Sequence, residues 1–195
     1  MRALVRGVAA MVFAVMGGEA AEAGEIMGGL YGHAFLEAHG RENDSFDTQI
    51  GYRTDPIEAL SLIWKPQVHA LLAVNDKYST HFAAVGLDWK IRLSHHWYFR
   101  PGIGLAYTTG KADAPPANAP GLTPAQANAR LHVYLTRIDF GDPVLFEPEL
   151  AFGYKVNPKL SVEFSYVHLS DGQILHQGRN EGLDDGGVRL VYKFH

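Results

Sequence analysis

The most constraining feature of the sequence is a two-residue alternation that returns in segment after segment. In "FEPELAFGYKV" (146–156) the even positions are Phe146, Pro148, Leu150, Phe152, Tyr154 and Val156. The odd positions are Glu147, Glu149, Ala151, Gly153 and Lys155. Leu160, Val162, Phe164 and Tyr166 stand in the same way against Ser161, Glu163 and Ser165. At the C-terminus Val188, Leu190, Tyr192 and Phe194 alternate with Gly187, Arg189, Val191 and Lys193, and segment 97–107 repeats the pattern. A period of two sends the two sets to opposite faces of a strand. Soluble sandwiches alternate too. Here, however, the non-apolar face mixes Gly and Ala with Glu, Lys and Arg, which suits a narrow polar barrel interior. Aromatic residues near segment ends suit interfacial girdles. The pattern predicts an all-β fold, an eight-stranded antiparallel transmembrane β-barrel; a periplasmic sandwich or lipocalin-like barrel is the alternative.

The N-terminus agrees with export. Arg2 and Arg6 flank the start of the apolar stretch "GVAAMVFAVMGG", and Ala21-Glu22-Ala23 forms an A-x-A site. This is the layout of a secretory signal peptide cleaved after Ala23, and the stretch is too short for a spanning helix. Residues 1–23 are therefore expected to be a signal peptide and residues 24–195 a single barrel domain. The chain has no cysteine, which excludes disulfides, CxxC redox chemistry and Cys-based zinc sites. A net charge of -4 without a Lys/Arg cluster argues against nucleic acid as a partner.

Strands are expected at 26–37, 46–64, 67–74, 80–93, 96–107, 144–156, 159–169 and 184–194. Either "RTDP" (53–56) or "KP" (65–66) supplies the second turn, and both choices keep eight strands. Connections alternate between short turns ("KP", "SHH", "NP") and longer loops at 38–45, 75–79, 108–143 and 170–183. With the N-terminus periplasmic, the long loops face outward. In the longest loop a short helix is expected after Thr123, and "LHVYLTRIDF" (131–140) is expected to extend the barrel above the membrane.

Within this frame "SYVHLSDG" (165–172) places His168 and Ser170 on the lipid-facing parity at the outer end of the seventh strand. The eighth strand returns antiparallel, and its lipid-facing parity leads back to Asp184. A serine nucleophile needs a base within hydrogen-bond reach, and the base needs an orienting acid. Residues i and i+2 of one strand plus a cross-strand neighbour supply such a set. Taken alone, the constellation fits a polar rim as well as a catalytic site. Of the other polar groups, His95 and His96 read as a solvated turn, and His176 as a loop residue rather than a metal partner of His168. Glu147, Glu149, Glu163, Arg189 and Lys193 read as an ion network filling the barrel. There is no P-loop, G-x-S-x-G elbow or dinucleotide fingerprint.

The run "FSYVHLSDG…NEGLDDGGVRLVYKF" resembles the C-terminal motif of the outer-membrane lipid A 3-O-deacylases, the PagL-type family. That motif is H-x-S-N, a short loop with N-x-G-hydrophobic-acid, and a final strand. The resemblance covers roughly residues 144–194. It implies an eight-stranded barrel in the outer membrane of a Gram-negative bacterium, acting as an esterase on an acyl chain of lipid A or lipopolysaccharide, the 3-O-linked chain by family. It implies Ser170 as nucleophile, His168 as general base and Asp184 as orienting acid, with Asn180 and main-chain amides at Gly172 and Gln173 stabilising the oxyanion. No metal or organic cofactor is implied, and a homodimer is compatible with it. Two departures stand out. Asp171 replaces the usual Asn, where a carboxylate is expected to repel an oxyanion or compete for His168. Asp184 replaces the more usual Glu after a loop about two residues longer, with Asp185 as an inward-pointing substitute. The rival classes are a non-enzymatic structural or adhesive barrel and a catalytically impaired, lipid-binding one.

Overall fold

A computed structural model describes residues 24–36, 41–112, 114–175 and 177–194; the expected signal peptide lies outside the described residues. The alternating segments become β1 (Gly24–Gly32), β2 (Phe46–Thr54), β3 (Gln67–Asn75), β4 (Phe82–Asp88), β5 (Ile91–Arg92), β6 (Trp97–Thr108), β7 (Val144–Lys155), β8 (Leu160–Leu169) and β9 (Leu183–Phe194). Each strand pairs antiparallel with its neighbour, β1 joins β9, and β4 joins β6, so the sheet has no open edge. β4 and β5 both pair with β6 and form one wall strand interrupted at Trp89 and Lys90, which makes the barrel eight-stranded. Closure satisfies every ladder in the wall, the condition for strands in hydrocarbon. Among the described residues no helix is long and apolar enough to cross a membrane.

The outward residues are the apolar parity: Ile26, Leu30, Ile50, Leu105, Phe152, Phe164 and Leu190 are exposed. The inward parity is charged and buried. Arg53 Nε donates to Asp88 at 2.7 Å, Nη2 to Glu149 at 3.2 Å and Nη1 to Glu163 at 3.3 Å. Arg100 bridges Asp88 and Glu25, both at 2.8 Å. Arg189 Nε donates to Glu163 at 2.7 Å and its Nη2 binds Glu149. His69 reaches Glu147 at 3.1 Å. This pair needs the glycines that stand opposite it across the strands. Gly86 and Gly104 are register partners, and a Cβ on them would lie 2.7 Å from His69 Cε1 and 2.6 Å from Glu147 Oε2. Lys193, expected in this network, instead pairs with Asp55 at 3.3 Å at the short-turn rim, where both are half-exposed.

Three boundaries differ from expectation. β2 ends at Thr54, and residues 58–63 form a 3-10 helix rather than strand. Pro56 has no N–H for a ladder, and the Ile57 N–H turns back to the Pro66 carbonyl. The first strand stops at Gly32 and turns. In the long loop the helix is present as α1 (Pro124–Thr136), capped by a reciprocal Thr123–Gln126 box. It runs through most of "LHVYLTRIDF", so that segment does not extend the barrel. Once Thr123 and Pro124 start the helix, the alternating residues 131–136 continue it. The chain then drops Ile138 and Phe140, both fully buried, into the upper barrel against Leu145, Val167, Leu169 and Leu183.

The long-loop rim is tied together by polar contacts. Arg137 Nε reaches Glu42 at 2.8 Å, the Asp139 N–H donates to Glu181 at 2.8 Å, and Arg41 binds Glu181 at 2.6 Å. His33 lies between Glu42 (3.2 Å) and Asp47 (2.9 Å). Burial alone would lower its pKa, but the hydrogen bonds to Asp47 and Glu42 outweigh it and raise it to about 10. A raised folded value means that this clamp contributes fully below the ordinary histidine range and is lost only as pH rises through about 10. Glu181 is held from above by Arg41 and the Asp139 amide.

Replacing Arg53 by Met removes the cation shared by Asp88, Glu149 and Glu163 and leaves these buried carboxylates only Arg100 and Arg189 as arginine partners. The expected cost is about 3–5 kcal/mol, read as a lower urea midpoint for the detergent-solubilised barrel. An unchanged midpoint would show that the network does not support the wall.

Candidate active site

The site is built by register. In the β8–β9 ladder His168 stands opposite Asp184, and Tyr166 opposite Gly186. Directly opposed side chains start about 5 Å apart, so even the short Asp reaches the imidazole. His168 Nδ1 and Asp184 Oδ1 are 2.7 Å apart, and their side chains remain 35% and 23% exposed on the outer wall. This contact leaves Nε2 as the ring nitrogen open to a nucleophile.

The β8–β9 ladder ends at Leu169 and Leu183, and the next residue keeps only the β7 side, in the β7–β8 register. The Ser170 N–H donates to the Phe146 carbonyl at 3.2 Å, and the Phe146 N–H returns to Ser170 at 2.8 Å. Ser170 is thus anchored to β7 while His168 is anchored to β9, two positions apart on one face. The structure brings His168 and Asp184 into contact; Ser170 Oγ has no hydrogen-bond partner among the described residues, His168 included. Catalytic hydrogen bonds in a substrate-free site are commonly longer than in the working complex.

Beyond Ser170 the chain turns sharply, with Gly172 and Gln173 both in the left-handed region (φ 61 and 55). Asp171 is fully buried and organises this turn. Its Oδ1 accepts the Gln173 N–H at 2.6 Å, and its carbonyl accepts from Ile174 and Leu175. No hydrogen bond joins it to His168, so the expected competition with Asp184 does not occur. The carboxylate takes the odd, inward parity of the strand. The Gln173 amide is thereby engaged and does not face the site as a free donor. The Asn180 side-chain carbonyl accepts the Asp171 N–H at 3.3 Å, which leaves its NH2 as the open donor. The Gly172 N–H has no acceptor among the described residues. Asp185 lies inside the barrel against His33 and Gln49, so Asp184 alone of the two faces His168.

Two contributors were not singled out from sequence. Gly182 has φ +70, and a Cβ there would stand 3.1 Å from His168 Cε1 and 3.6 Å from Nε2. Only glycine both adopts that turn and leaves the imidazole edge clear. The other is Tyr166, read as one more lipid-facing aromatic. Its hydroxyl donates to Asp184 Oδ1, the same oxygen that His168 holds. Its i−2 spacing from His168 on the same face was the available signal. The surroundings are apolar: Phe35, Leu36 and Ile174 are exposed, and Phe146 is the direct neighbour of Ser170.

His33, Asp47 and Asp185 have ligand atoms close enough together to hold a metal ion, but they lie inside the wall, away from the face carrying Ser170. His96 stacks on Tyr154 in an exposed turn at the opposite rim, and His176 lies outside the described residues.

Comparison with known proteins bears on the fold and the family. The family model for lipid A 3-O-deacylase (PagL) matches residues 45–193. The crystal structure of the outer-membrane enzyme PagL superposes with a TM-score of 0.54 at 12% identity, covering 87% of this chain and 98% of that one. The N-terminal β-barrel domain of Pseudomonas aeruginosa OprF gives a TM-score of 0.51 at 8% identity, covering 89% and 98%. No match is found among curated proteins. At these identities the structural likenesses establish the barrel, whereas the family match spans most of the chain. The resemblance carried by "SYVHLSDG" and "NEGLD" is borne out: this chain is a Gram-negative outer-membrane β-barrel that belongs to the lipid A 3-O-deacylase family.

Proposed function

We propose that the protein is an esterase that removes the 3-O-linked acyl chain of lipid A through Ser170, His168 and Asp184. The observation that carries this reading is the His168–Asp184 contact of 2.7 Å on the lipid-facing wall, two residues from Ser170. His168 Nε2 takes the Ser170 hydroxyl proton as Oγ attacks the ester carbonyl. Asp184 holds the ring in the tautomer that leaves Nε2 basic and then stabilises the imidazolium. The tetrahedral oxyanion is met by the Asn180 NH2 and the Gly172 N–H, each worth about 2.7–4 kcal/mol when well aimed. Collapse breaks the ester C–O bond, and the imidazolium gives its proton to the departing sugar hydroxyl. Water, deprotonated by His168, then hydrolyses the acyl-serine to a free fatty acid.

The exterior position suits this substrate. Acyl chains of outer-leaflet lipid A lie beside the wall formed by Phe146, Tyr166 and Phe164, so the ester meets Ser170 without leaving the bilayer. Asp171 reads as structural here, because an Asn in its place offers the same Oδ1 acceptor to Gln173.

Mass spectrometry of lipid A from cells producing the wild type is expected to show loss of one hydroxyacyl chain. Ser170→Ala is expected to lower kcat by about 10⁴-fold or more. Undiminished deacylation by the folded variant would sink the serine mechanism. Gly182→Ala puts a methyl against His168 in a strained turn and should lower kcat at least about tenfold, with the heat-modifiable gel shift of the folded barrel retained. Asp171→Asn keeps the turn and removes a buried carboxylate whose Oδ2 has no partner. Its activity should stay within about twofold, with a higher melting temperature; a loss of activity would return Asp171 to the reaction itself.

A further inference from the structure

Asp184 Oδ1 receives two donors, His168 Nδ1 and the Tyr166 hydroxyl. The geometry behind the second donor is specific. Tyr166 is not opposite Asp184 but one pair further down the ladder, opposite Gly186. The diagonal between them is roughly 7–8 Å, which an extended phenol spans and a shorter side chain does not. Gly186 leaves open the space beside the ring, and Phe35 fills it: a Cβ on Gly186 would lie 2.6 Å from Phe35 Cε1. Phe35 packs edge-on against Tyr166 at 6.1 Å, and its N–H donates to the Asp184 carbonyl at 3.0 Å. The turn after β1 therefore fastens the main chain of Asp184 and the ring of Tyr166 together.

Resting on the deacylase reading above, we propose that Tyr166 is a positioning residue: braced by Phe35, it holds the Asp184 carboxylate in register with His168 and shares its negative charge. An aspartate is one methylene shorter than a glutamate and has less reach with which to correct its own aim. A second donor fixes the oxygen that the imidazole uses. It also draws charge from that oxygen, so the imidazolium is held less tightly and gives its proton to the leaving hydroxyl more readily. The other titratable side chains of the neighbouring elements point elsewhere. His33 and Asp185 face the barrel interior, Asp171 is buried in its turn, Glu181 binds Arg41, and Arg179 is directed toward Asp139.

The test is steady-state kinetics of the purified full-length barrel in detergent, with lipid A as substrate, over a range of pH. Tyr166→Phe keeps the ring and its contact with Phe35 and removes only the hydroxyl. The expected result is a kcat lower by roughly tenfold with KM unchanged, since a hydrogen bond to a charged group is lost. The acid limb of the kcat/KM profile should move to higher pH, because Asp184 without its second donor holds the imidazolium more tightly. In an Asp184→Asn background the same change should have no further effect, as groups acting through one carboxylate are not additive. A pH profile unmoved by Tyr166→Phe, or a full additional loss in the Asp184→Asn background, would overturn the proposal. The deacylase reading has its own control: if Ser170→Ala remains active, that reading fails. If Ser170→Ala is inactive while Tyr166→Phe behaves as wild type, only the positioning role fails.

Discussion

The structure depends on charge compensation inside the barrel. A transmembrane wall with its apolar side chains turned to lipid has little left with which to fill a narrow lumen, and this chain fills it with ions. Arg53, Arg100 and Arg189 each touch at least two carboxylates from different strands, so one network links β1, β2, β4, β6, β7, β8 and β9. Buried charges are costly unless each has its partners, and that demand fixes the strand register more sharply than nonspecific apolar packing would. A slip of one residue would send Glu163 and Arg189 into lipid and Phe164 and Leu190 into the lumen. The same register sets His168 opposite Asp184.

The site is a consequence of where this order stops. Below Leu169 the strands are bound on both sides; above it β8 leaves β9, keeps its β7 register for one more pair at Phe146, and enters the turn organised by Asp171. His168 and Ser170 thus have different anchors, His168 on β9 and Ser170 on β7. Sites on rigid strands hold their geometry better than sites on loops. The donors beyond Ser170, at Gly172 and Asn180, lie outside the strands. Their loop is held by Asn180 from within and by Glu181 through Arg41 and Asp139 from above.

Much of this was legible in the alternation. The faces of β7, β8 and β9 followed parity, and parity alone put His168, Ser170 and Asp184 on one exterior patch. What misled was local competition between signals. "LHVYLTRIDF" alternates like a strand, yet Thr123 and Pro124 nucleate a helix that overrides it. The alternation reached 64 and left "RTDP" and "KP" as rival turns; Pro56 ends the ladder at the first of them. Lys193 has the parity of Glu163 and Arg189 but sits too near the rim to join them. The Gln173 amide looked available because the acceptor that takes it, Asp171 Oδ1, comes from a side chain whose direction parity could only suggest.

From the order of residues alone one reads which side chains face lipid, that an eight-stranded membrane barrel is favoured over a soluble sandwich, and where the family motif lies. A period of two is a property of each strand and needs no knowledge of its neighbours. The three-dimensional fold settles which of two adjacent aspartates contacts His168, that Asp171 turns inward, and that Tyr166 shares the oxygen held by the imidazole. Those are cross-strand and turn relations. They arise from pairing between segments 14 or more residues apart, or from left-handed backbone at Gly172, Gln173 and Gly182, and they become definite only when the barrel closes.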